Sequence, residues 1–542
     1  MDAKKIIVIL LMLGNLSVLA QPGPGKQTVD ITSSFKPVLR NAAKINFSAS
    51  PAAADTVKNL RPYSLPAQKM YYAYRAIPLK PLALDADSFP SLGGGNYVKA
   101  GFGNLTTPYV AAAIGTGDGL SHLFNIYGEY TSSKGKIVNQ DYARFDLRGA
   151  GSYFTEKQEW YGSARLYQRD YYLYGYDHEL FSFNRGDVLQ RFLQVHLLAG
   201  VRNKTVNATG ISYDTRLEAD IFKLQGKATE STLKATIPFS LPLGEHLTAS
   251  LAAVADITTY STSVVAPDTG FSNNLYSVAP ALSFEKEGLK LHAGITPVND
   301  NGQWVTLPDI RAEFTPSATP SLTLLGGLSG RVVKNTLRRL TDINPWLMPR
   351  ITGLNTREYE LYGGFRSGLG KHFDLEAKAS FISIKNMPLF VNDAVDGKTF
   401  LLRNEAEITN LRIQGELGYR GNDNLLFNAG AAINIFSGLN DNERAWGTLP
   451  FEMNASVHWR PANKLLLNGT AYLFAGGPYL GSDNTDAQGG GGADLSIGME
   501  YAVTRNWSAW LGLNNLLNSR YARWNNYPVY GLNILGGVRF RF

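Results

Sequence analysis

The chain ends on Tyr530-Gly531-Leu532-Asn533-Ile534-Leu535-Gly536-Gly537-Val538-Arg539-Phe540-Arg541-Phe542. Tyr530, Leu532, Ile534, Gly536, Val538, Phe540 and Phe542 fall on one side of an extended strand; Gly531, Asn533, Leu535, Gly537, Arg539 and Arg541 fall on the other. Side chains of a strand point alternately to opposite faces, so one face is apolar and the other carries arginines, with Leu535 out of place. Two settings ask for such a strand: the edge of a soluble sandwich, or a wall with lipid on one side and water on the other. The rest of the chain decides between them.

Residues 1–20 read as a secretory signal peptide: Lys4 and Lys5, an apolar core from Ile6 to Leu13, and Val18-Leu19-Ala20 before Gln21. That core is too short for a transmembrane helix, and no later stretch offers about eighteen consecutive apolar residues. The chain therefore leaves the cytoplasm, and any membrane it meets is crossed by strands. It has 0 cysteines, which excludes a cysteine lipid anchor, a disulfide framework and thiolate metal sites. Gly 54, Tyr 28 and Phe 26 accompany a slightly negative mean hydropathy of −0.15. A large barrel reconciles these figures, because half its strand residues face water and its interfaces want aromatic rings. The net charge of +7 falls to +6 without the signal (Lys4 and Lys5 less Asp2), and the basic residues are dispersed, so no nucleic-acid surface is indicated.

Residues 21–95 form a second region, punctuated by Pro37, Pro51, Pro62, Pro66, Pro78 and Pro81. Proline removes a ladder donor and extends the residue before it, so this region reads as an extended periplasmic segment rather than a domain. Phe35, Pro37, Tyr72, Tyr74 and Pro81 are its candidate occluding residues, because aromatic rings seek burial.

From Tyr97 the chain resolves into about 22 alternating strands, an even number that returns both ends to the same rim. Asp214, Arg216 and Glu218 oppose Tyr213, Leu217 and Ala219; Arg366 opposes Phe365; Arg412 and Glu416 oppose Leu411, Ile413 and Leu417. With Arg539 and Arg541 these are the candidate polar face of a lumen. Ions of both signs on one face only need water inside and lipid outside. The expected fold is an all-β transmembrane antiparallel barrel over 96–542. Connections alternate between short and long, and the longest, Thr336 to Asn355, carries Arg338, Arg339 and Trp346 as candidates for binding or constriction.

Asn514-Asn515-Leu516-Leu517-Asn518-Ser519-Arg520-Tyr521, then Tyr527-Pro528 and the closing strand, resembles the C-terminal end of TonB-dependent receptors. The strand Asn404 to Tyr419 and the tract from Gly330 through Asn344-Pro345 to Tyr359-Glu360-Leu361 are similar to later parts of that barrel. The resemblance implies an outer-membrane barrel of a Gram-negative bacterium, inserted by the barrel-assembly machinery that reads Val538, Phe540 and Phe542. The family's large N-terminal plug has no counterpart in residues 21–95. With Tyr97 to Asn104, Thr107-Pro108-Tyr109, Phe35-Lys36-Pro37 and Lys80 to Leu84, the chain resembles plugless relatives from Bacteroidota. That group brings no activity with it.

No His-Glu-x-x-His run, phosphate-cradling loop or nucleophile elbow is present, so neither an enzyme nor a cofactor is indicated. Two functions remain open. One is a transport or receptor barrel occluded by its N-terminal segment and loops. The other is a non-transporting subunit that scaffolds an envelope assembly or secretion complex, with a periplasmic or surface lipoprotein as partner.

Overall fold

The computed structural model describes residues 96–205, 210–264, 269–421 and 424–542. The signal peptide and the segment 21–95, with Phe35, Pro37, Tyr72, Tyr74 and Pro81, lie outside the described residues.

Alternation dictates the wall. In His122–Lys134, Phe124, Ile126 and Tyr130 are exposed while Tyr127, Glu129, Thr131 and Ser133 are buried. The same two-residue period runs through Ser212–Leu224, where Leu217 and Ile221 are exposed, and through Thr356–Leu369, where Leu361 is. Strands of this kind pair antiparallel with their sequence neighbours into one 22-stranded sheet. Each of the strands read from the sequence has its counterpart.

The first strand, Tyr97–Gly103, pairs with the last, Asn533–Arg541, and closes the ring. The register sets Lys99 opposite Arg539 and Gly101 opposite Gly537. A Cβ on Gly537 would stand 2.0 Å from the Ala100 carbonyl oxygen, so only glycine lets the two backbones approach there. Leu535, the residue out of place, points inward and packs with Tyr97, Tyr109 and Trp510 in an aromatic patch on the inner wall.

The long connections, 173–188, 334–355, 438–450, 476–491 and 515–532, all leave from one rim. The opposite rim has short turns such as 155–157, 287–288 and 503–506. Outer-membrane barrels turn short in the periplasm and long outside, which orients the ring. Exposed Trp160, Trp459, Trp507 and Phe542 stand at the short-turn rim as an interfacial aromatic girdle. The barrel crosses the membrane with strands; among the described residues no helix is long and apolar enough to do so.

Two details depart from the sequence expectation. The closing strand begins at Asn533, not Tyr530. Asn515 Nδ2 donates to the Tyr530 carbonyl at 2.7 Å and Asn518 Oδ1 accepts from Leu532 N–H at 2.9 Å, which diverts both residues from the ladder. Tyr530 therefore turns inward, edge-on to Tyr142. The other departure is a short helix, α1 (Leu337–Ile343), inside the longest loop.

Candidate functional site

The site is built at the outer mouth, from α1 downward. Leu337, Leu340 and Ile343 recur at helical spacing and are all buried. A helix this short leaves a large share of its N–H groups, those of Leu337, Arg338 and Arg339, without partners inside it, so outside acceptors must hold it. Thr336 Oγ1 accepts from Arg339 N–H at 3.2 Å, and the Glu230 carboxylate accepts from Leu337 and Arg338 N–H. Pro345 stops the helix: the preceding Asn344 is extended, with φ −135° and ψ 103°.

Beyond that stop, Trp346 stacks on Tyr527 with ring centroids 3.8 Å apart and 22° between planes. Its Nε1 donates to the Tyr172 carbonyl at 3.1 Å. Tyr174 meets both rings edge-on, at 5.9 and 4.8 Å. Phe400 N–H donates to the Trp346 carbonyl at 3.1 Å, and Met348 N–H to the Phe400 carbonyl at 2.9 Å. Tyr172 ends the fifth strand of the ring and Phe400 begins the sixteenth. Eleven places apart in a ring of 22, these strands face each other across the lumen. The aromatic cluster of Tyr172, Tyr174, Trp346, Phe400, Trp524 and Tyr527 therefore spans the mouth as a cap.

The three loop candidates have different surroundings. Trp346 is at the centre of the cap. Arg338 lies 3.7 Å from Asp220 and 4.0 Å from Asp342, and Asp342 in turn accepts from Arg169 at 2.7 Å. These contacts tie α1 to the wall. Arg339 faces the lumen and donates to Asn335 Oδ1 at 2.9 Å. Burial and the neighbouring Arg331 hold its pKa below the usual arginine value, against the pull of Glu358.

The lumen candidates share a face but do not converge. Asp214 accepts from Tyr161, and Arg216 lies 3.6 Å from Glu218. Arg366 donates to Glu376 at 2.9 Å, with Glu416 beside the pair. Arg412 donates to Gln414 at 3.0 Å and lies 3.9 Å from Glu452. Arg539 and Arg541 share Glu500, at 3.3 and 3.2 Å. Spread over the wall as pairs within and between strands, they make a charge-balanced polar face and do not gather into one cluster. Among the described residues no group of three His, Cys, Asp or Glu is placed to hold a metal. Val538, on the outer face, is half exposed, and Phe540 lies 4.8 Å from Trp507 and 6.0 Å from Phe542.

Sequence reading missed the cap's other members. Tyr171-Tyr172-Leu173-Tyr174-Gly175-Tyr176 is an aromatic run at a strand end, and Trp524-Asn525-Asn526-Tyr527-Pro528 is a turn flanked by rings. Aromatic density at the tips of connections was the signal available.

No protein-family model matches the chain, and no curated protein matches it. Solved structures do. The FrpB iron transporter from Neisseria meningitidis superposes with a TM-score of 0.63 at 11% identity, over 83% of this chain and 81% of that one. The fold is that of the TonB-dependent receptor barrels. A ferric enterobactin receptor (PfeA) variant from Pseudomonas aeruginosa gives 0.60 at 13% identity, over 83% and 80% of the two chains. FpvAI, solved in complex with pyocin S2, gives 0.60 at 10% identity, over 83% and 73%. These likenesses to the receptor barrels are of fold.

Proposed function

We propose that this chain is an outer-membrane barrel of the transport and receptor class, closed at its outer mouth by its own loops. The observation that carries the reading is the Trp346–Tyr527 stack, which joins loops from different parts of the ring across the lumen. Solved barrels of the same fold include an iron transporter and a ferric enterobactin receptor, which supports the class. In this reading residues 21–95 fill the periplasmic side, with Phe35, Pro37, Tyr72, Tyr74 and Pro81 as contacts. Arg338, Arg339 and Trp346 serve the outer constriction, and Val538, Phe540 and Phe542 serve insertion by the barrel-assembly machinery.

A second reading has its own support. Trp346 and Tyr527 are 1% and 0% exposed, packed like a protein core rather than a hinge. A mouth that never opens suits a non-transporting barrel that scaffolds a periplasmic or surface lipoprotein. Single-channel conductance separates the two. The full chain is expected to be closed, and current to appear once residues 21–95 are deleted and Trp346 and Tyr527 are both changed to Ala. Silence in that doubly opened form, together with co-purification of a fixed partner, would establish the scaffold instead.

A further inference from the structure

Below the cap, one flank of the lumen holds a cleft of about 130 Å³, between α1 and the wall from Leu322–Val333 to Leu425–Ser437. Its charged lining is Arg331, Arg339, Lys378 and Arg412 against Glu358 and Glu360; with Arg412 countered by Glu452 at 3.9 Å, an excess of one positive charge remains. The carboxylates are engaged: Arg331 donates to Glu358, and Lys378 lies 2.7 Å from Glu360.

Arg339 differs from its neighbours. Among the described residues it meets one acceptor, Asn335 Oδ1, and no carboxylate at ion-pair distance. A guanidinium carries five donors in a rigid fork suited to a planar carboxylate, so most of that capacity remains open toward the cleft. Asn410 is 4% exposed and lines the same cleft; its Nδ2 donates to Asn434 Oδ1 at 3.1 Å while its Oδ1 has no partner. That oxygen has essentially no exposed surface, so it marks a polar stretch of the lining rather than a contact open to a ligand. Ile382, Phe390 and Trp446 line the same cleft and supply apolar surface.

We infer that this cleft binds a small organic anion, with its carboxylate on Arg339 and its apolar body against Phe390 and Trp446. The inference rests on the transport and receptor reading and names its ligand class. A neutral or cationic ligand would leave the excess positive charge uncompensated.

The test uses the full chain in lipid nanodiscs, titrated calorimetrically with 2-naphthoate and with its neutral counterpart 2-naphthamide, against empty discs. Saturable naphthoate binding is expected, with naphthamide at least tenfold weaker. Arg339→Gln should weaken naphthoate at least tenfold and Arg339→Lys less. Asn410→Asp, nearly the same shape but an anion, should weaken it without touching Arg339. Unchanged melting of each variant separates lost binding from lost folding. Equal affinity for acid and amide, no effect of Arg339→Gln, or no binding of either probe overturns the site. Binding is read without current, so the two readings fail separately. A barrel that binds but never conducts defeats transport and keeps the site, whereas one that conducts and ignores naphthoate does the reverse.

Discussion

Trp346 and Tyr527 lie face to face, centroids 3.8 Å apart, and this contact joins the longest loop to the last one. Trp346→Ala removes the stack and the hydrogen bond to the Tyr172 carbonyl. Truncating a buried tryptophan costs about 3–5 kcal/mol. The cost should fall on the cap and not on the wall, whose ladder is untouched. Proteolysis within 334–355 and 515–532 should accelerate while the barrel still resists unfolding in detergent on gels. Loss of both together would mean that cap and wall are one cooperative unit.

Glu230 holds α1 through two backbone N–H groups. Glu230→Ala leaves both without their acceptor, at about 1–3 kcal/mol for each group that stays buried. Hydrogen exchange at Leu337 and Arg338 should quicken markedly while amides of Leu247–Thr262 keep their protection. Unchanged exchange at the helix would show that Thr336 alone suffices as its cap.

His196 and Leu197 are neighbours on opposite faces of Leu189–Asn203. His196 Nδ1 lies 3.2 Å from Asp220, and Leu197 is 50% exposed on the outside. Leu197→Arg places a charge in lipid at roughly 2–4 kcal/mol near mid-membrane, whereas His196→Arg keeps its charge beside Asp220 in the wet interior. Membrane-inserted yield should fall for the first variant and hold for the second. Equal yields would reverse the assignment of faces.

Gly537→Val should prevent closure of the ring. Its Cβ would meet the Ala100 oxygen at 2.0 Å and the Gly101 Cα at 2.5 Å, backbone atoms of the first strand with no flexible side chain to yield. The expected sign is loss of the heat-modifiable band that marks a closed barrel, whereas Gly368→Ala, which meets nothing within 4 Å, should retain it.

The wall was legible in the sequence because its rule is local. Lipid and water impose a period of two on every strand, so Val538 and Arg539 could be assigned opposite faces without knowing their neighbours. The cap obeys no such rule. Trp346 and Tyr172 are 174 residues apart and meet only because the ring brings opposite strands into view of each other. Tyr530 shows the same limit on a smaller scale. Its alternation with Leu532 fitted a strand, but side-chain hydrogen bonds from Asn515 and to Asn518 overrode it. Arg338 and Arg339, adjacent in sequence, part company because one turns to the wall and the other to the cleft.

The bridge between the fifth and sixteenth strands has a mechanical meaning. A thin hoop resists stretching but flattens easily, and lateral pressure in a bilayer squeezes it from every side. A strut across its widest span keeps it round, and here that strut is made of Tyr172, Trp346 and Phe400. Anything that dislodges Trp346 thus softens the hoop as it uncovers the lumen, so stiffness and access are two readings of a single joint.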